Sequence, residues 1–302
     1  MEKFQLSRLV DMEDPQAILD EVKHIVSMLF SDFDCAMLDR VFTDIVRLFR
    51  GKYPGYAACQ TQYHDLKHTT DTFLAMARLI HGAMLKGANF TREQVLLGLL
   101  CALMHDTGYI PRLDDEATKN MPRGLTDIRR SIAFTERYRS DNDLPVQIFK
   151  HSSAIVTCTD LSADISTIRF ASGEIEMLGK LLAAADLLGQ MADRTYLEKL
   201  LFLFYEFRDG GVMGYENELD LLRKTRDFYA RIEERIAKDL SGVDKYMRYH
   251  FKTRWNLDRD LYKEAVEKHI TYLKFILRHH QKDYRKHLRR GGLMRRLQER
   301  TR

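Results

Sequence analysis

Two short stretches decide the reading: Tyr63-His64-Asp65-Leu66-Lys67-His68-Thr69-Thr70-Asp71, and Leu103-Met104-His105-Asp106-Thr107-Gly108. Between them, apolar residues recur at helical spacing, first Phe73, Leu74, Ala77 and Ile80, then Val95, Leu96, Leu99 and Leu103. The pattern predicts two amphipathic helices with histidines at critical ends. His64 and His68 stand four apart and share a face, with Asp71 three further on. The second helix delivers an adjacent His105 and Asp106 after a run too apolar for a surface. A buried imidazole beside a buried carboxylate needs partners, and a divalent metal satisfies both.

Working outward, the chain has 302 residues, 45% hydrophobic and 30% charged. That suits a soluble globule of one or two domains. The longest apolar run, Val95 to Met104, is too short to span a bilayer. No apolar segment marks the N-terminus as a secretory signal, and Cys35, Cys59, Cys101 and Cys158 show no paired spacing. Reduced, buried thiols in a cytoplasmic protein are expected.

Asp14-Pro15 opens a helix whose stripe runs from Ile18 to Phe30, and a second helix spans about Cys35 to Phe49. After Asp106 a loop of roughly residues 107–126 is expected to shape a pocket. Further helices are expected at 127–139, 145–158, 174–192, 197–207, 215–240 and across 243–280. Ala183-Ala184-Ala185 precede Asp186, and small side chains there would let that helix approach its neighbours and bury the carboxylate. No βαβ alternation and no glycine-rich phosphate loop occurs. The fold class is therefore all-α, a compact multi-helix bundle. Its parts are N-terminal helices over 1–55, a core over 56–240, C-terminal helices over 241–280 and a basic tail over 281–302. From Arg278 onward ten Lys or Arg face two acidic residues. The expectation is a solvated, flexible tail, with attraction to an anionic surface as the alternative.

The motifs resemble those of the HD-domain metal-dependent phosphohydrolases, and within them the class I 3',5'-cyclic-nucleotide phosphodiesterases. That family reads Tyr-His-Asn-x-x-His-Ala-x-Asp where this chain has Tyr63-His64-Asp65-x-x-His68-Thr69-x-Asp71. Its Ala-x-x-His-Asp corresponds to Ala102 through His105-Asp106. Its Val-Leu-Ala-Thr-Asp-Met-Ser resembles Ile155 through Thr159-Asp160-Leu161-Ser162, and its Cys-Ala-Asp-Leu resembles Ala184-Ala185-Asp186-Leu187. The resemblance implies a metal held by His68, His105, Asp106 and Asp186. Two imidazoles and two carboxylates suit Zn, Mn or Fe. A second ion, Mg or Mn, would be bridged by Asp106, and the pair would activate a water for in-line attack on phosphorus. His64 takes the position of the general acid. Asp71, Tyr109 and Asp127 are candidates for supporting the ligands or touching substrate.

The chain departs from the pattern at Tyr109, where the family has His. Asp127 is the nearest counterpart to its Glu-x-His-His, and no Gln lies between Leu222 and Ala230 to clamp a purine. The expected substrate is a small phosphoester, a cyclic nucleotide among the candidates. A nucleotidase or phosphomonoesterase, or a metal-binding signalling module without turnover, remain the alternatives.

Overall fold

A computed structural model describes residues 5–114 and 128–292. All regular structure among them is helical, apart from one isolated antiparallel bridge between Tyr56 and Arg112. The chain runs α1 (Leu6–Leu9), α2 (Pro15–Leu29), α3 (Ala36–Phe49), α4 (Leu66–Leu85), α5 (Arg92–Met104), α6 (Ile128–Asp141), α7 (Val146–Phe149) and α8 (Ser152–Thr157). It continues α9 (Gly173–Ala192), α10 (Tyr196–Asp209), α11 (Glu218–Lys238), α12 (Tyr246–Trp255) and α13 (Leu261–His279). Short 3₁₀ turns follow α5 and α13. Asp127 and the loop carboxylates beyond Asp114 lie outside the described residues.

The helix starts follow side-chain chemistry. Pro15 stands at the first position of α2, and the Asp14 carboxylate accepts from Gln16 N at 2.9 Å. Thr91 and Gln94 form a reciprocal capping box on α5. Ser172 caps α9 and Asn217 caps α11. Asp65 caps α4 by accepting from His68 N at 2.9 Å.

That cap corrects one expectation. Helix α4 begins at Leu66, so His64 sits in the preceding turn rather than on the helix. The two imidazoles still meet, edge to face, with centroids 6.0 Å apart. A second correction concerns amphipathicity. Every residue of α4 from His68 to Ala83 is buried, as is α5 from Val95 to Met104. Helix α4 is the axis of the bundle, with α2, α5, α9 and α12 packed around it. A helix enclosed on all sides has no polar face to show. Its polar side chains instead meet buried partners: Arg78 donates to the Tyr262 hydroxyl at 2.9 Å and lies over the Phe251 ring.

Close approach to α4 depends on two glycines. A Cβ at Gly82 would lie 2.0 Å from the Tyr246 carbonyl oxygen, and one at Gly189 3.1 Å from Thr72 N. Gly189 is three residues after Asp186, so the contact that brings α9 against α4 also brings Asp186 towards His68.

The segment after α13 departs from the expected free tail. Over residues 281–292 it is docked. Leu288 is fully buried, Arg285 Nη2 lies 2.7 Å from Glu218 Oε2, and Arg290 N donates to Glu198 Oε1 at 2.9 Å. Two buried glutamates on α10 and α11 hold it, which outweighs repulsion among its own cations. Residues 243–280 likewise divide, because Asn256 closes α12 in the left-handed conformation (φ 53°). Cys101 and Cys158 are buried and Cys35 and Cys59 half-buried, all four as free thiols.

Candidate metal centre

Four side chains converge from three elements. His68 comes from the first turn of α4, His105 and Asp106 from the end of α5, and Asp186 from the middle of α9. His68 Nε2 lies 3.0 Å from Asp186 Oδ1 and 3.1 Å from Asp106 Oδ2. His105 Nε2 lies 3.4 Å from Asp106 Oδ2, 3.5 Å from Asp186 Oδ1 and 3.4 Å from His68 Nε2. Donors bound at ~2.1 Å to one ion stand about 3.0 Å apart at right angles and about 3.4 Å apart at the tetrahedral angle. His68, His105 and Asp106 therefore have the donor spacing of a metal site, and Asp186 stands within 3.5 Å of both imidazoles.

Hydrogen bonds alone account for it poorly. Asp106 Oδ2 has no well-formed partner despite its neighbours. The His105 Nδ1 faces the Ala102 carbonyl at 2.9 Å. A carbonyl only accepts, so Nδ1 carries the proton and a neutral His105 turns its Nε2 lone pair inward. Electrostatics agree. Burial opposes charging His68, yet Asp106 and Asp186 outweigh it and lift its pKa to about 10. His105 is raised for the same reason. Burial works against both carboxylates too, but the imidazoles pull Asp186 and Asp106 below the ordinary range. The centre demands positive charge, which protons or a divalent cation can supply.

His64 stands beside the centre. Its ring stacks on Tyr109 with centroids 4.1 Å apart, and Nε2 is 3.2 Å from the Tyr109 hydroxyl. Nδ1 is 3.2 Å from Glu206 Oε2. The other oxygen of Glu206 accepts from Gln62 N and Tyr63 N at 2.8 and 2.9 Å, so the carboxylate is clamped. Sequence reasoning missed Glu206. It lies in the Leu- and Phe-rich α10, where an acid flanked by Tyr205 and Phe207 was the available signal.

Asp71 is paired with Lys67, Nζ to Oδ2 2.5 Å, in a buried cluster rather than with an imidazole. Asp193 lies 3.6 Å from Lys67 and 3.2 Å from Lys199, and Lys199 is 2.9 Å from Asp65. This network ties the cap of α4 to the α9–α10 junction, and so steadies the backbone that carries His68. Burial raises the Asp71 pKa to about 7 despite Lys67. Burial also opposes ionising Asp193, but Lys199 and Lys67 hold it at about 2.

The centre opens into a cavity of about 890 Å³, walled largely by apolar residues such as Leu187, Leu203, Phe207 and Phe228. Thr159, Asp160 and Ser162 form part of its rim. The Arg235 guanidinium holds that rim by donating to the carbonyls of Cys158, Asp160, Leu161 and Ala163.

No curated protein and no solved structure gives a significant match to the chain. The family described as Npun_R2479-like matches residues 42–246, a span that contains every residue of the centre as well as His64 and Glu206. The chain belongs to the Npun_R2479-like family.

Proposed function

We propose that the protein is a metal-dependent phosphohydrolase acting on a phosphoester, with phosphodiester cleavage the favoured chemistry. The observation that carries this reading is a pair of imidazoles with Asp106 and Asp186 each 3.0–3.5 Å from them, beside a further imidazole braced by a carboxylate. His68, His105, Asp106 and Asp186 would hold a transition metal of the Zn, Mn or Fe class. A divalent metal bound there supplies Lewis acidity and lowers the pKa of a coordinated water. A second ion, Mg or Mn, belongs to the same reading.

The chain's own residues supply the proton transfer. Glu206 accepts from Nδ1 and fixes the tautomer of His64, so Nε2 faces the open side. As an imidazolium, His64 donates its Nε2 proton to the leaving oxygen, which replaces the Tyr109 hydroxyl as its partner. Glu206 stabilises the charged ring before transfer, and Tyr109 keeps the imidazole plane in place by stacking. The apolar cavity receives the organic part of the ester and limits water near the reacting group. The resemblance to cyclic-nucleotide phosphodiesterases favours a diester.

The test is a panel of mono- and diesters assayed with Mn²⁺, comparing the natural chain with Asp106→Ala. Turnover of at least one ester that disappears in the variant is expected. Equal turnover by both chains, or none by either, would remove the proposal.

A further inference from the structure

A second group of metal-type donors lies in the turn after α13. His280 closes α13, and the turn that follows brings Asp283 and His287 beside it. His280 Nδ1 is 3.7 Å from Asp283 Oδ1, and His287 Nε2 is 3.7 Å from Asp283 Oδ2. Neither distance is a hydrogen bond. The carboxylate thus lies beside both imidazoles without bonding either. Their rings are tilted by 31°, with centroids 3.8 Å apart.

The turn is built rather than loose. Asp283 N donates to His280 O, Lys286 N donates to Asp283 O, and the Tyr272 hydroxyl donates to His287 O at 3.0 Å. Leu288 is buried immediately after the last ligand. Tyr284 and Arg285, between the second and third donors, both engage Glu218 Oε2. Arg285 is thereby drawn to Glu218, which limits its repulsion of an incoming cation. The side chains of His280, Asp283 and His287 are 30%, 40% and 28% exposed, so an ion can enter from solvent.

We propose that His280, Asp283 and His287 form a second transition-metal site, of the Zn, Ni or Cu class, that clips the C-terminal segment onto α13. Two imidazoles and one carboxylate match that class, and water completes the coordination. One donor atom of each residue lies within 4.8 Å of the other two, and side-chain rotation closes the remaining gaps onto one ion. The clip reaches further than its own turn. Glu218 is the first residue of α11, and Leu221, Lys224 and Thr225 on that helix line the large cavity. Occupancy of the surface site therefore steadies one wall of the cavity.

The experiment titrates ZnCl₂ into the full chain carrying no histidine tag, with limited trypsin digestion as a second readout. The natural chain and Asp186→Ala should each take up one equivalent that a His280→Ala, His287→Ala double variant lacks. Zinc should slow cleavage after Lys286 and Arg289 in the first two chains and leave the double variant unchanged. Asp283→Asn gives the same comparison should the double variant fold poorly. Equal zinc uptake by the natural chain and these variants overturns the site. Cleavage of the natural chain at the same rate with and without zinc overturns the clip.

Discussion

The two histidine–aspartate clusters hold similar donors and differ in what surrounds them. At the inner one, His68 and His105 are 2% and 1% exposed, the elements are long helices, and burial raises the cost of leaving any charge unmatched. At the outer one, the donors sit on a turn and water can satisfy each separately. The inner cluster is thus expected to bind tightly and to be chemically committed. The outer one binds through preorganisation of a turn, more weakly and reversibly. Chemistry of ligands sets which ion fits, and burial sets how much the protein depends on it.

Substitution at the inner cluster should have the largest effect. His68→Ala or Asp186→Ala should abolish turnover and the metal that survives dialysis against a mild chelator, while a metal-free but unchanged activity would separate the two. Next comes the braced imidazole. His64→Ala should keep the metal and lose ~10² to 10⁴-fold in kcat, the range for a general acid. Glu206→Gln should fall part of the way, with metal content intact. An unchanged kcat in Glu206→Gln would leave His64 without its orienting partner.

The buried charge network gives a pH-dependent prediction. The Asp193 pKa is depressed in the folded protein, so its contribution to stability is present above the unfolded carboxylate value and is lost as pH falls towards about 2. Asp193→Asn, which leaves buried Lys199 and part-buried Lys67 with one carboxylate each, should cost about 1 to 3 kcal/mol at neutral pH. The gap in stability between the two chains should narrow as pH falls from about 4 to 2. A constant gap across that window would assign the loss to packing instead.

The outer region carries the smallest effects. Leu288→Ala should cost about 2 to 5 kcal/mol, since a fully buried leucine is truncated. Its folded state should keep the inner metal. A loss below 1 kcal/mol, measured by urea unfolding, would mean that the segment from residue 281 is not part of the core.

The same contrast explains what the sequence made legible. The inner donors lie at motif spacings on strongly apolar helices, so His68, His105, Asp106 and Asp186 could be named together. Asp65 was visible as a motif residue, but its role as the cap that leaves His64 outside α4 depends on one backbone conformation. Glu206 is 142 residues from His64, and no local pattern pairs them. Docking of the basic segment was hidden because charge counting sees Arg285 and misses the buried Glu218 that receives it, and no count shows the Arg290 backbone N–H that Glu198 accepts. Burial of α4 from His68 to Ala83 was equally invisible, because it depends on which helices surround it.

Elemental analysis of the purified natural chain and of Asp186→Ala, with folding of both verified by circular dichroism, tests the central claim most directly. The account predicts about one tightly held transition-metal ion per natural chain after dialysis against a mild chelator, and its absence from a folded Asp186→Ala. Equal metal content in the two chains, or a natural chain that retains none after growth with Zn, Mn and Fe supplied, would contradict it.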